Sequence, residues 1–116
     1  MLDLKAELME TGIPFEPIGW VKAPAYPYGI FEDEVDIRGA DLPSALRVLV
    51  HSVTISAYHN DYDQILSVRD KLAAWSEARA LSCRLHVQYE DAEDHYTVRL
   101  TSTVIEKKGM IYNGSK

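Results

Sequence analysis

The sequence contains one cysteine, Cys83, so no disulfide can form within the chain. The fold is therefore expected to hold without staples, and a cytoplasmic setting is the simple expectation. No apolar run approaches the roughly 20 residues needed to span a bilayer, which argues against a membrane protein. Met1 to Glu7 show no basic stretch followed by an apolar one, so the N-terminus does not read as a secretory signal. Basic residues are also scarce. Twelve Lys and Arg stand against eighteen Asp and Glu, a net charge of −6, and no run of Lys or Arg occurs. Such a chain is on average repelled by phosphate backbones, which disfavours sequence-specific binding of DNA or RNA.

Catalytic signatures are missing as well. There is no phosphate-binding P-loop and no G-x-G-x-x-G. Ser44, Ser67, Ser76 and Ser82 lack the G-x-S-x-G setting of an activated nucleophile. Cys83 sits at an apolar position of an alternating segment, where a cysteine usually acts as a small core residue. Zinc ligands usually come in pairs a few residues apart. His51 and His59 are eight positions apart in or beside one expected strand, about 26 Å if extended. A hairpin closing around residues 90–94 would pair Tyr89 with His95 and bring His86 near Val98, so His86 and His95 would not meet either. The expectation is a protein that is not an enzyme and needs no metal or other cofactor.

What remains is an ordinary globular composition, 47% hydrophobic and 26% charged over 116 residues. A chain of that length can bury about two thirds of its unfolded surface. The pattern predicts a single domain over residues 1–112 and a flexible tail over 113–116. Residues 3–11 read as a short helix, with Asp3 as its cap and Gly12 as its stop. Ile13 to Trp20 carry two prolines and predict extended backbone with at most a short edge strand. From Tyr28 the period is two: Phe31, Val35 and Ile37 on one face, Glu32, Glu34 and Asp36 on the other. Arg38 to Ser44 is a turn, with Gly39, Asp41 and Pro43. A strand over 46–58 alternates Val53, Ile55 and Ala57 with Ser52, Thr54 and Ser56. A helix over 62–79, capped by Asp61 or Asp63, follows. Two more alternating strands lie on either side of Glu90 to Asp94. The order helix, strand, strand, helix, strand, strand predicts an α+β fold: a four-stranded antiparallel sheet of two hairpins with helices on one face.

Two acidic clusters stand out. Glu32 to Asp36 hold four carboxylates in five residues, and so do Glu90 to Asp94. Neither has the spacing of a calcium loop. Both read first as solvated surfaces, a strand face and a hairpin tip. Lys22 to Phe31 contain P-x-x-P at Pro24 and Pro27. Without a flexible, basic context this reads as a stiff entry to a strand rather than a ligand for a partner domain. Trp20 and Tyr26 stand in proline-rich backbone, and exposed aromatics are enriched in interfaces. With Tyr28, the turn residues Arg38 and Asp41, and the hairpin acids Glu90 and Asp94, they form the candidate oligomer or partner interface.

Particular segments resemble small tail proteins of tailed bacteriophages and prophages. They are Gly12-Ile13-Pro14, Pro24 with Pro27-Tyr28, Gly39-Ala40-Asp41, and the strand Val53 to Tyr58 with its polar turn. The similarity covers roughly residues 10–75. Gly29 departs from it, because a β-branched residue is expected after the Pro-Tyr pair, and Glu32 to Asp36 are denser in charge than the pattern needs. The group is similar to tail terminator, or tail completion, proteins, which join head to tail. The resemblance implies a structural protein of the virion tail, assembled in the bacterial host cytoplasm. It implies a hexameric ring that contacts the tail tube protein and the head connector protein. DNA would pass through such a ring without sequence-specific binding. The alternative from another class is a small bacterial ligand-binding or protein-interaction module with the same α+β sandwich.

Overall fold

The structure is a computed structural model and describes residues 3–17, 20, 22, 24–39, 41–43, 46–107 and 110–113. The elements in chain order are α1 (Leu4–Leu8) with a 3-10 turn (Met9–Thr11), β1 (Phe15–Pro17), β2 (Tyr28–Arg38) and β3 (Val48–His59). Then come α2 (Tyr62–Ala78), β4 (Cys83–Glu90), β5 (His95–Lys107) and β6 (Met110–Asn113). The fold is α+β. Five strands lie side by side in the order β1-β2-β3-β5-β4, and β6 pairs with β5 beyond the end of β4.

The two hairpins, β2–β3 and β4–β5, are as expected, but the sheet is larger and mixed. β1 runs parallel to β2, with Phe15 opposite Gly29. β6 occupies Met110–Asn113, so the start of the expected flexible tail, Asn113, is in a strand; residues 114–116 lie outside the described residues. β1 is the short edge strand that the extended segment over 13–20 allowed for; β6, of four residues, is too short to show a period of two and did not stand out. The β4–β5 register also differs by one residue. Glu90 pairs with His95, Tyr89 with Tyr96 and His86 with Arg99. A pairing of Tyr89 with His95 would set the apolar face of one strand against the polar face of the other.

Local chemistry explains the helix ends. Asp3 accepts a hydrogen bond from the Ala6 N–H, and Gly12 ends the 3-10 turn at φ +76°. Asp61 accepts from the Gln64 N–H at 3.0 Å at the start of α2. Along α2, Ile65, Val68, Leu72 and Trp75 are buried at spacings of three and four. They cover a sheet face that contains Val53, Ile55, Ala57, Val98 and Leu100, and Leu4 and Leu8 of α1 join the same core. Each fully buried Leu or Ile, such as Leu72 or Ile55, contributes about 1.5–3 kcal/mol. α1 is fastened to α2 by polar contacts: the Trp75 indole donates to the Glu7 carbonyl at 3.0 Å, and Arg79 lies over the Trp75 ring and donates to Glu7.

The sheet outruns its helix. α2 has 17 residues, about 26 Å at 1.5 Å per residue. β3 has 12 residues, about 40 Å at 3.3 Å per residue. The far ends of β2, β3 and β5, with β6 alongside, therefore form an arm, and the molecule measures 49 × 29 × 23 Å. Val35 and Ile37 lie on the same face as Phe31 but are 50% and 53% exposed. Their alternation fixed the face, not whether anything covers it.

Candidate functional site

Gly29 organises the end of the sheet opposite the arm. A Cβ there would strike the Phe15 ring and the Ser56 carbonyl oxygen, so the position is closed to any side chain. This accounts for the glycine where a β-branched residue was expected. The Gly29 N–H donates to the Pro14 carbonyl, and the Gly29 carbonyl accepts from the Trp20 indole, both at 2.9 Å. Backbone contact at Gly29 thus fixes both β1 and the Trp20 side chain.

Around it an aromatic cluster builds on the sheet face away from the helices. Trp20 meets Tyr28 edge-on at 6.3 Å, Tyr28 meets Tyr58 at 5.2 Å, and Tyr58 stacks on His95 at 4.8 Å. Tyr26 stacks on Tyr28 at 5.5 Å, and its hydroxyl bonds His95 Nδ1 at 3.0 Å. His95 is buried and shares Glu90 Oε1 with Thr97. Trp20, Tyr28, Tyr58, Glu90, Glu93 and His95 line a groove of about 330 Å³. Its field is negative. Burial raises the Tyr28 and Tyr58 phenols, and Glu90 raises both further, with Tyr26 and Glu93 adding to the shift at Tyr28. The Thr97 hydrogen bond, helped by His95, holds Glu90 below its ordinary range.

Of the expected interface residues, Trp20, Tyr26, Tyr28 and Glu90 come together here. Asp94, in the β4–β5 turn, does not join them: it accepts from the hydroxyl of Tyr89, which packs on Tyr96 on the helix-bearing face. Arg38, the last residue of β2, and Asp41, in the turn after it, are at the other end, and Arg38 pairs with exposed Asp36. Tyr26 and Pro27 are half-buried, in keeping with an architectural role for the P-x-x-P segment; Ala23 lies outside the described residues.

A second cluster escaped the sequence reading. His51 is 2% exposed on the core face. Its Nδ1 lies 2.8 Å from Asp33 and its Nε2 2.9 Å from Glu106. Burial disfavours the charged imidazole, but the hydrogen bonds to Asp33 and Glu106 outweigh it and raise the pKa. The same bond lowers Glu106. Asp33 therefore does not belong to a solvated strand face: only Glu32, Glu34 and Asp36 do. Three strands carry the triad, and it sits where the helical layer ends and the arm begins. Both imidazole nitrogens are engaged by different carboxylates, which leaves no shared point for a cation. Among the described residues, no group of three or more His, Cys, Asp or Glu could hold a metal ion, and no helix is long and apolar enough to cross a membrane.

No protein-family model, curated protein or solved structure matches this chain.

Proposed function

We propose that this chain is a structural protein of a bacteriophage or prophage tail: a tail terminator that forms a ring, caps the tail tube and joins it to the head connector. The reading starts from the resemblance over residues 10–75. The observation that carries it further is the uncovered arm. Val35 and Ile37 offer water an apolar surface on a face that is core a few residues away, and Leu42 and Leu46, between β2 and β3, are 42% and 54% exposed. A neighbouring copy that covers this surface would recover the burial energy the short helix leaves unused. In this reading the chain performs no catalysis, and a net charge of −6 lets DNA slide through the ring, since duplex affinity comes mainly from phosphate neutralisation.

The test is sedimentation velocity of the chain, alone and with the tail tube protein encoded beside it. Rings are expected, alone at high concentration or only with the tube protein. The variant Val35→Asp/Ile37→Asp should stay folded and fail to form them. A strict monomer under both conditions would overturn the reading, and so would a genome with no tail genes beside this one.

A small-ligand module is the second reading, and one observation favours it. A cavity of about 240 Å³ lies between the helices and the sheet, lined by Val53, Trp75, Leu81, Leu100 and Val104 with Glu7 and Arg79. It falls below the roughly 300–1,000 Å³ of ordinary ligand pockets, which ranks this reading second. A ligand-dependent rise in Tm of the monomer would favour it.

A further inference from the structure

We propose that the groove on the open face of the sheet is a binding site for a cationic side chain, an arginine or lysine presented by a basic partner protein. The inference does not depend on ring formation.

The walls are those a cation selects. Trp20, Tyr28 and Tyr58 supply aromatic surface, which attracts guanidinium and ammonium groups through the ring quadrupoles. Glu90 and Glu93 supply negative charge at the rim. Among the described residues, none forms a hydrogen bond or ion pair with the Glu93 side chain. Glu90 commits Oε1 to His95 and Thr97, and Oε2 takes no bond from a described residue. The groove thus holds acceptors ready for a donor from outside. It is also pre-built: Trp20 is pinned to the Gly29 carbonyl, and Tyr26 and Glu90 hold His95 between them. A pre-organised site loses little entropy when its ligand arrives.

Charge decides the source of the cation. Glu90 and Glu93 at the groove, on a chain of net charge −6, draw in a basic partner. Several of the chain's own cations are already spent internally: Lys5 on Glu16, Arg38 on Asp36, Arg69 on Asp70 and Arg79 on Glu7 and Glu10.

The probe is the peptide acetyl-Gly-Arg-Gly-amide, titrated into the isotope-labelled chain and followed by amide and indole NMR shifts. Saturable shifts are expected at Tyr28, Tyr58, Glu93 and the Trp20 indole, weakening as salt is added. The neutral isostere with citrulline in place of arginine should produce none. Glu93→Gln lies in an exposed turn and should keep the fold while weakening binding about threefold. Asp70→Asn, on the helix of the opposite face, should leave binding unchanged. The proposal is overturned if no saturable shift occurs, if the citrulline peptide binds equally, or if Glu93→Gln has no effect. Equal shifts at Glu32 to Asp36 would mean diffuse charge attraction and would also overturn it. Groove shifts that track the chain's own concentration without peptide would assign the site to a second copy, against a partner protein.

Discussion

Phe15 in β1 stands over Gly29 in β2, so close that a Cβ on Gly29 would overlap its ring. β1 therefore docks through a buried aromatic and a missing side chain rather than through a long ladder. Gly29→Ala is expected to destabilise the fold by about 1–3 kcal/mol through overpacking. Phe15→Ala should cost about 3–5 kcal/mol by leaving a cavity. The double variant should cost less than the sum, because removing the ring relieves one of the two clashes of the methyl group and leaves the one with the Ser56 carbonyl oxygen. Chemical denaturation of the three variants measures this; strict additivity would place the two residues out of contact.

The His51 triad predicts a stability optimum on the acid side of neutrality. His51 has a raised folded pKa, so its contribution is complete below its ordinary 6.5 and is lost as pH rises through the folded value. Glu106 has a lowered one, so its contribution is complete above its ordinary 4.5 and is lost as pH falls through the folded value. The triad's stabilisation is therefore greatest between about 4.5 and 6.5. Tm should fall from pH 6 to pH 8.5, with amide exchange in the arm accelerating first. His51→Gln should cost about 3 kcal/mol at pH 5.5, because it leaves two carboxylates without their cation. It should also flatten the alkaline loss; an unchanged pH profile would remove the triad as its cause.

The two hairpins, the long helix and both helix caps were legible because each rests on local pattern: Val53, Ile55 and Ala57 at period two, Ile65 to Trp75 at helical spacing, Asp3 and Asp61 ahead of helices. The triad was not, because Asp33, His51 and Glu106 meet only once three strands are in register. A trace did exist. Asp33 shares parity with Phe31, His51 with Val53, and Glu106 with Val104, so each is a polar residue on an apolar face. The exposed arm could have been anticipated from length, since a 17-residue helix cannot cover a 12-residue strand. The groove could not: its aromatics were visible singly, but their convergence depends on Gly29 and on the loop before it.

The cap of α2 offers a local check. Asp61 accepts from the Gln64 N–H, and the charge also favours the positive end of the helix. Asp61→Ala should cost about 1 kcal/mol, and Asp61→Ser should recover most of it. Thermal denaturation of the pair distinguishes a cap from a surface charge: if Ser fails to rescue, the hydrogen bond is not the source of the effect.

Thr97 offers the sharpest test of the groove's construction. It is fully buried on a sheet face that carries no helix, and its hydroxyl donates to Glu90. That bond is the largest influence holding Glu90 below its ordinary range. Thr97→Val keeps the shape and removes the donor. The Glu90 carboxyl should then titrate closer to 4.5, and the fold should lose about 1 kcal/mol at neutral pH. The loss should vanish below the Glu90 titration, because a protonated carboxyl no longer needs that donor. NMR titration of Glu90 in the two proteins reads the first effect, and denaturation at pH 7 and at a pH below that measured titration reads the second. A Glu90 that titrates unchanged in Thr97→Val would mean that His95 and the neighbouring charges, not Thr97, set the field of the groove.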